Sequence, residues 1–326
     1  MAKPVKKGKS VYQKPDNDKL SDLFINNGLV PEELRGTDRF LDVVCWNIRY
    51  FHDRDPRRVA NIVEVLGELN ADVLVLEEIL EGSLDVVARS LGEQGAGYYQ
   101  VAYGTTGGNQ RIAIMYDLDW VRAKDDIVEL FGKGQVVTGG GKEVFPRLPL
   151  WAHFTSLTNN RQSEPFDFQL VGVHLKSQRG GGEDQRRAAG QRLAKWLGEE
   201  AEIKDADVII LGDWNEPPGA PCWQALHQLE KQGRVGFAKI NDSSNISHLM
   251  YRNKNEIGSR LDLGAISVAA LDNVQAPPTA IHWKPLSKML AGNPQGRKIK
   301  DLLKQISNEV SDHMPVVSRF YFTEDD

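Results

Sequence analysis

The sequence has few cysteines and no long hydrophobic run. Only two of its 326 residues are cysteine, Cys45 and Cys222, and each lies beside a tryptophan in a segment typical of packed structure. Two cysteines cannot form the disulfide framework of a small secreted domain. No apolar run is long enough for a signal peptide or a membrane span, so the chain as given is predicted to be cytoplasmic. A leader removed before residue 1 would leave no trace, and secretion stays open on that ground.

The sequence also has no excess of positive charge. Lysine and arginine number 40 against 45 acidic residues, which gives a net charge of −5. Proteins that coat nucleic acid are usually basic overall, so any polyanion must be bound by a local patch. The hydrophobic fraction of 40% and the length favour a globular chain with a substantial core. Residues 1–38 predict a basic and polar arm, and residues 39–326 a single domain.

Apolar runs rich in β-branched residues alternate with a few amphipathic segments. The predicted strands are residues 41–46, 72–76, 98–103, 111–116, 148–155, 166–173, 208–211, 261–268 and 315–321. The predicted helices are residues 56–69, 84–91, 185–200 and 222–231, with a short one at 19–26 in the arm. Many strands with few helices between them favour an α/β fold of packed sheets with helices outside, rather than a strict βαβ repeat.

Polar residues follow five of the apolar runs. These segments are Trp46-Asn47, Leu76-Glu77-Glu78, Val173-His174-Leu175-Lys176-Ser177, Leu211-Gly212-Asp213-Trp214-Asn215 and Ser311-Asp312-His313. Side chains that leave several strands at the same edge can meet there, which is how sheet enzymes build a site from residues distant in sequence. We therefore expect these five segments to converge.

The residue types in these segments predict metal-dependent hydrolysis. Glu78 and Asp312 offer carboxylate oxygens and Asn47 an amide oxygen, a set that suits Mg²⁺ or Mn²⁺ better than zinc. His174 and His313 are two imidazoles that can move protons near neutral pH.

A base also needs an orienting partner, and Asp262 is the candidate for holding one imidazole in its correct tautomer. Asp213 and Asn215 are then left to position the attacking water and the phosphate.

Each residue also has a plainer explanation. Asp213 after a glycine is more often a turn or a cap, and a lone histidine such as His174 is usually packed or solvated. Glu77 and Glu78 can be solvent carboxylates at a helix N-terminus. These explanations treat each residue separately. They do not predict that all five segments occur together in this order, or that most of them follow an apolar strand.

The set of segments resembles the endonuclease/exonuclease/phosphatase superfamily over residues 41–320. Trp46-Asn47 resembles its first motif, and Glu77-Glu78 its second, in which the usual pair is Gln-Glu. The other matching segments are Val173-His174, Gly212-Asp213-Trp214-Asn215, Arg260-Leu261-Asp262 and Ser311-Asp312-His313. The resemblance implies a four-layer α/β sandwich of two packed mixed sheets with helices outside, and a site at one end.

The resemblance also implies roles for these residues. His313, oriented by Asp262, is the general base, Glu78 binds the metal with Asp312 in support, and His174 stabilises or protonates at the phosphate. Asp213 and Asn215 position the nucleophile and the scissile group. The candidate contacts to substrate phosphate are Arg147, which resembles an arginine of the DNase-like branch, together with Lys176 and Arg111.

Two departures bear on the substrate. Apurinic endonucleases of this superfamily carry an acidic residue where this chain has Arg49, and Asn where it has His174, so an abasic-site repair role is disfavoured. The Gly180-Gly181-Gly182 loop, with Lys176, Arg179, Arg186 and Arg187 around it, is similar to bacterial nucleases. The plainer explanation is that Arg186 and Arg187 begin a solvated helix face. A second basic stretch is Arg297-Lys298-Ile299-Lys300 with Lys304.

These basic segments favour a nuclease acting on DNA before RNA. One alternative is a phosphomonoesterase or a phospholipase C-like enzyme that acts on inositol phosphates or sphingomyelin. For that alternative, Ile281-His282-Trp283-Lys284 is a weak candidate for a membrane-contacting loop. A second alternative is a non-catalytic protein that binds nucleic acid, which would need neither an oriented base nor a metal carboxylate.

Overall fold

Two large mixed β-sheets form the centre of the fold. The computed structural model describes residues 29–157, 164–253, 256–283 and 297–323. The strands are β1 Leu41–Phe51, β2 Val73–Ile79, β3 Tyr99–Tyr103, β4 Arg111–Asp117, β5 Val121–Ala123, β6 Val128–Glu129, β7 Leu150–Ser156, β8 Asp167–His174, β9 Val208–Asp213, β10 Val235–Gly236, β11 His248–Asn253, β12 Glu256–Ser259, β13 Asp262–Ser267, β14 Val274–Ala280 and β15 Val316–Phe320.

The strand order places the long buried strands at the centre of each sheet. The first sheet has the order β14-β15-β1-β2-β4-β3, and the second has the order β10-β13-β9-β8-β7-β5. In the first sheet β1 pairs with β2 in parallel and with β15 in antiparallel orientation. In the second sheet β8 and β9 are parallel. The ends of β1, β2, β8 and β9 supply four of the five polar segments.

The two sheets pack face to face through apolar side chains. Gly172 on β8 permits a close approach, because a Cβ atom there would lie 2.7 Å from a methyl group of Val75 and 3.1 Å from one of Ile112. Phe154 on β7 is fully buried and packs against Tyr116 on β4 of the other sheet, with 5.0 Å between the ring centroids. Burial of this much apolar surface is the main source of stability in such a core.

Helices cover the outer faces of both sheets. They are α1 Pro56–Leu69, α2 Asp85–Gln94, α3 Glu183–Glu199, α4 Gln224–Lys231, α5 Val268–Asp272 and α6 Arg297–Glu309. The apolar faces of α1 and α2 join the core of the first sheet, and those of α3 and α4 join a second cluster on the other sheet. The predicted four-layer α/β sandwich is confirmed.

The start of α1 shows why the sequence folds this way locally. Asp55 caps the helix by accepting hydrogen bonds from the N–H groups of Arg57 and Arg58, and Pro56 occupies the first position, where its missing N–H has no cost. Asn70 ends the helix with a left-handed φ of 46°. The helix has the bounds that its apolar spacing predicted, residues 56–69.

Residues Leu29 and Val30, within the predicted arm, lie buried against the domain. Their backbone N–H groups donate to the Glu68 carboxylate, each at 2.8 Å to Oε2, and Arg35 pairs with the same carboxylate. The predicted helix at 19–26 lies outside the described residues. The arm boundary between residues 38 and 39 stays a prediction. Among the described helices, none has the length and apolar character that crossing a membrane requires.

Candidate active site

The end of β1 is joined to the segment before β15 by two buried hydrogen bonds. The indole N–H of Trp46 donates to the His313 carbonyl at 2.9 Å, and the Ser311 hydroxyl donates to the Asn47 carbonyl at 2.6 Å. Both contacts cross more than 260 residues of sequence. They place Asn47 and His313 at the same end of the sandwich.

Asp213 is the centre of the cluster. It ends β9 directly after Gly212, whose φ of 143° is disfavoured for other residues. One oxygen, Oδ2, lies 3.2 Å from Asn47 Nδ2, 3.6 Å from His174 Nε2 and 4.0 Å from His313 Nε2. Burial raises the pKa of Asp213 to about 7, although His313 opposes the rise.

His313 is held by Asp262, the first residue of β13. Its Nδ1 lies 2.9 Å from Asp262 Oδ2, so Nε2 is left facing Asp213. Burial lowers the pKa of His313, but Asp262 and Asp213 outweigh burial and raise that pKa to about 10. Burial raises the pKa of Asp262, but His313 outweighs it and the pKa is lowered. Without a cation, the pair is therefore an imidazolium and a carboxylate.

Asp262 is itself fixed by Ser247, a residue that the sequence gave no reason to select. The Ser247 hydroxyl oxygen accepts the backbone N–H groups of Leu261 and Asp262, at 3.0 and 2.9 Å. The next residue, His248, packs its ring against His313 with 4.6 Å between the ring centroids. The strand β11 and the turn before it therefore support the His313–Asp262 pair from the side.

His174 ends β8 on the other side of Asp213. The Arg147 Nε donates to its Nδ1 at 3.2 Å, and Nη2 also contacts the ring. Burial lowers the pKa of His174 well below its usual value, and the positive charges of Arg147 and His313 lower it further. Without a cation, the two imidazoles of the site thus hold opposite charge states at neutral pH, because their charged neighbours differ.

Glu78 is the second-last residue of β2 and has a left-handed conformation, with φ 61°. Its Oε2 accepts the N–H of Tyr50 at 3.0 Å, and its Oε1 lies 3.9 Å from His174 Nε2. Asn47 Oδ1 accepts the N–H of Arg49, and Asp312 Oδ2 lies 3.5 Å from Arg49 Nε. Because Glu78 accepts only one hydrogen bond from the described residues, its carboxylate has oxygen lone pairs that can bind a cation at the edge of the cluster.

These oxygen donors fit a hard divalent cation. Two groups of acidic and histidine side chains in the described part of the chain have ligand atoms within 4.8 Å of one another. One is Asp213, Asp262 and His313, within the cluster described above, and the other is His153, Asp167 and Asp205. The predicted ligands Glu78 and Asp312 belong to neither group.

Asn215 has a left-handed φ of 60°, and its backbone N–H donates to Asp213 Oδ1 at 2.9 Å. Its side-chain amide donates to the Leu175 carbonyl at 3.1 Å, which joins the end of β9 to the end of β8. Asn215 thus lies against Asp213, as its position in the segment predicted. The amide is occupied in holding the two strand ends together.

The structure does not bring all the predicted phosphate contacts to the cluster. Arg111 pairs with Glu81 at 2.8 Å and donates to the Gly104 carbonyl at 2.7 Å. Lys176 is half-buried in the loop after β8, and among the described residues it forms no ion pair with Glu78. Arg147 is the one of the three that contacts a residue of the cluster.

Two basic residues of the helix α3 also serve other contacts. The Arg186 guanidinium is buried, pairs with Glu216 at 2.7 Å and donates to carbonyl oxygens of the glycine-rich loop. It is therefore neither a substrate contact nor part of a solvated face. Arg187, in contrast, forms exposed ion pairs with Glu183 and Asp184.

Glu77 is a buried residue that sequence reasoning did not select. Its side chain has 0% exposure, and both carboxylate oxygens lack a hydrogen-bond partner. Burial raises the pKa of Glu77 well above its usual value, and Asp262 and Asp213 raise it further. The signal in the sequence was the Glu-Glu pair where the resembled family has Gln-Glu, because a protonated carboxyl is a neutral group like an amide.

A cavity of about 780 Å³ opens beside Arg147. It lies between the loop after β3 and the long connection from β6 to β7, and Gln110, Phe131 and Phe145 are among its lining residues. Glu129 joins the two loops, because its carboxylate accepts hydrogen bonds from Thr105 and Thr106. Arg147 thus lies between the histidine cluster and a space large enough for a substrate group.

Comparisons with known proteins agree with this fold. A sequence profile of the Endonuclease/Exonuclease/phosphatase family matches residues 44–222. A comparison with curated proteins finds no match. TDP2 from Caenorhabditis elegans is similar in structure, with 17% identity over 90% of this chain and 77% of that chain and a TM-score of 0.53.

Two further solved structures are similar over nearly their whole length. The human Nocturnin catalytic domain has 17% identity, 90% coverage of this chain, 100% of that chain and a TM-score of 0.55. An endonuclease/exonuclease/phosphatase family protein from Bacteroides thetaiotaomicron has 15% identity, 87% and 98% coverage, and a TM-score of 0.57. At these identities the likeness concerns the fold.

Proposed function

Because this chain belongs to the endonuclease/exonuclease/phosphatase family, we propose that it is a divalent-metal-dependent phosphodiesterase that cleaves nucleic acid, DNA before RNA. The observation that carries the proposal is the arrangement around Asp213, where Asn47, His174 and His313 all lie within 4.0 Å of one carboxylate oxygen. Two imidazoles with different partners, one held by a carboxylate and one by an arginine, and nearby oxygen donors form the kind of set that phosphoryl hydrolysis uses.

The pair His313 and Asp262 acts as the oriented base. Asp262 holds Nδ1, so the tautomer with a free Nε2 faces Asp213 and the reacting centre. Water placed beside Asp213 loses its proton to Nε2, and the carboxylate of Asp262 then stabilises the imidazolium. When bound at Glu78 and Asn47 with Asp312 beside them, Mg²⁺ or Mn²⁺ supplies positive charge that polarises a phosphoryl oxygen and lowers the pKa of nearby imidazolium groups.

Arg147 and His174 form the phosphate side of the site. The Arg147 guanidinium is buried between His174 and the cavity, where it is placed to bind a phosphate oxygen. Arg147 contacts both ring nitrogens of His174, and neutral His174 can donate toward the phosphate from the nitrogen that carries its proton. Asp213, supported by Asn215, positions the nucleophile.

The cavity and the buried tryptophan favour a nucleic-acid substrate over a membrane lipid. A cavity of about 780 Å³ beside Arg147 accommodates a group as large as a nucleotide attached to the phosphate. Trp283, the aromatic residue that would have faced a membrane in a phospholipase-like enzyme, has 1% exposure and packs on Trp46 at 5.9 Å. The described part of that loop therefore offers no exposed tryptophan to a lipid surface.

A substrate panel tests the proposal. Purified protein is incubated with supercoiled plasmid, single-stranded DNA, RNA and a small phosphomonoester, in Mg²⁺, Mn²⁺ or EDTA. We expect cation-dependent cleavage of the polymers, with DNA preferred. Turnover of the monoester without polymer cleavage would contradict the proposal and favour a phosphomonoesterase, whereas DNA binding without turnover of any substrate would indicate a non-catalytic binding protein.

A further inference from the structure

The strand β1 is distorted where it reaches the candidate site. Its pairing register with β2 shifts between Asn47 and Phe51. The two residues in the distortion, Arg49 and Tyr50, have φ values of 43° and 47°. Left-handed conformations are uncommon for residues other than glycine, and two in succession persist only where surrounding contacts impose them.

The contacts that impose this conformation come from the site itself. The Arg49 N–H donates to Asn47 Oδ1 at 2.9 Å, and the Tyr50 N–H donates to Glu78 Oε2 at 3.0 Å. Arg58 holds the outer side of the distortion by donating to the Arg49 carbonyl at 2.6 Å. The distorted backbone is thus fixed on two of the candidate metal ligands.

This distortion leaves the Tyr50 ring beside the site with 58% exposure. Arg58 lies over the neighbouring Phe51 ring rather than over Tyr50, and Tyr50 stacks with no ring in the described part of the chain. The phenol lies close enough to Arg147 to affect its pKa: burial lowers the pKa of Arg147, while Asp213, Glu78 and then Tyr50 oppose burial. The ring therefore lies at the rim of the site, within electrostatic range of the phosphate side.

A backbone N–H from any residue could contact Glu78, so that contact alone does not require an aromatic side chain. A large exposed ring on a fixed backbone is, however, well suited to stacking on a flat group. Nucleobases present such a face, and stacking on aromatic side chains tolerates any base sequence. Inositol phosphates and simple phosphomonoesters offer no comparable face.

We propose that Tyr50 is a substrate-binding residue that stacks on the nucleobase next to the scissile phosphate. This proposal rests on the proposed nuclease function and specifies how that site recognises its substrate. An unpaired base exposes its face, whereas a base within a duplex is already stacked on its neighbours. Tyr50 therefore favours single-stranded or locally unpaired nucleic acid over intact duplex.

The test uses two substitutions and two substrates. The Tyr50→Ala protein lacks the ring, and the Tyr50→Phe protein keeps it. The substrates are a single-stranded oligonucleotide and one of the same length with abasic residues on both sides of the cleaved bond. We expect Tyr50→Ala to raise KM for the first substrate by about tenfold or more, with kcat unchanged, and to leave KM for the abasic substrate unchanged.

Tyr50→Phe should retain the parent KM, because stacking does not need the hydroxyl. Tyr98→Ala is the matched control, since Tyr98 is 66% exposed at the start of the first sheet's edge strand. An equal rise in KM on both substrates would overturn the proposal. It would show that Tyr50 contributes through its backbone contact with Glu78 and not through its ring. Unchanged KM on both would overturn it while the nuclease function stands, and failure of the parent protein to cleave either oligonucleotide would overturn both.

Discussion

Asp213 shows how one residue organises the site. Its Oδ2 is shared by the Asn47 amide and faces Nε2 of both His174 and His313, while its Oδ1 accepts the Asn215 N–H. The two histidines differ in charge because one is beside Arg147 and the other between two carboxylates. The same side-chain type is thus adapted to two tasks by its neighbours.

The first prediction concerns Glu78. Replacement by Gln removes the negative charge but keeps the shape and an oxygen that accepts the Tyr50 N–H. We expect the Mg²⁺ concentration for half-maximal activity to rise by at least about tenfold. Loss of a residue that only hydrogen-bonds to a metal ligand already weakens metal binding by about that factor, and loss of a charged ligand should weaken it at least as much. Glu93→Gln, at an exposed position of α2, is the control. An unchanged Mg²⁺ titration would assign the ligand role to another carboxylate.

The sequence predicted the positions of some site residues but not of others. Asn47, Glu78, Asp213 and His313 follow apolar runs, and that position predicts their convergence without a structure. Tyr50 and Ser247 carry no such signal, because their placement depends on contacts with residues far along the chain. The backbone distortion at Tyr50 and the supporting hydroxyl of Ser247 arise from tertiary packing, so the local sequence does not predict them.

At the level of elements, the pairing of β8 with β9 positions the two sides of the site. Gly212 lies at the point of closest approach, where a Cβ atom would come within 2.0 Å of the Val173 carbonyl oxygen. Because its φ is also 143°, no other residue fits here without moving the backbone. The glycine therefore sets the distance between Asp213 and His174.

The second prediction follows from this contact. Gly212→Ala should lower the free energy of unfolding by about 2 kcal/mol or more, through steric clash and an unfavourable φ, and should lower kcat because Asp213 is displaced. Gly219→Ala is the matched control, since no atom lies within 4 Å of a Cβ at that position. Urea denaturation and turnover measurements check both. Equal stability of the two variants would contradict the role assigned to Gly212.

The elements that the sequence revealed are those that are long and buried. The apolar runs of β1, β2, β8 and β9 are clear because both faces of each strand are covered. The two-residue strands β6 and β10 have too few residues to show a pattern. The strand β14 contains Pro277 and Pro278, which argue against a strand, and it forms because it lies at the edge of its sheet.

Across the whole molecule, a second set of buried acids lies at the end of β1 opposite the site. Asp72 Oδ2 accepts the Asp42 N–H at 2.7 Å. Burial raises the pKa of Asp72 well above its usual value, and Asp42 and Asp117 raise it further. Burial also raises the pKa of Asp42 to about 6, although Arg319 opposes that rise. Folding thus favours the protonated acids, which has a cost at neutral pH.

The third prediction is the pH dependence of that cost. A carboxyl whose pKa is higher in the folded state contributes stability below the unfolded pKa of about 4 and loses it as pH rises. Asp72→Asn has no charge to bury and still accepts the Asp42 N–H. It should be more stable than the parent by about 1 kcal/mol or more at pH 8, with a smaller difference at pH 4.

Urea denaturation of metal-free protein at both pH values measures the effect. Asp53→Asn, at an exposed position before α1, should show no such dependence. A stability difference that is the same at pH 4 and pH 8 would contradict the assignment to a buried charge. Because Asp72 lies at the opposite end of β1, activity should be unaffected.

The sequence predicted the layers of the whole molecule, but it did not predict the order of strands within the sheets. Covered apolar runs and amphipathic helices imply sheets with helices outside. The strand β1 pairs with both β2 and β15, and β9 pairs with β13. These pairings join residues far apart in the sequence, such as Leu41 and Phe320. No local pattern records these pairings, although they bring Asp262 to His313.

The central claim is that His313, oriented by Asp262, removes the proton from the attacking water. The most direct test is the single-turnover cleavage rate of the preferred polymer by the parent protein, His313→Ala and Asp262→Asn at saturating Mg²⁺. The control is His227→Gln on α4, a histidine whose ring contacts the Pro218 carbonyl. The account predicts that His313→Ala lowers the rate by about 10²- to 10⁴-fold with the fold retained by circular dichroism, and that Asp262→Asn also lowers it. A rate for His313→Ala close to that of the parent would contradict the account.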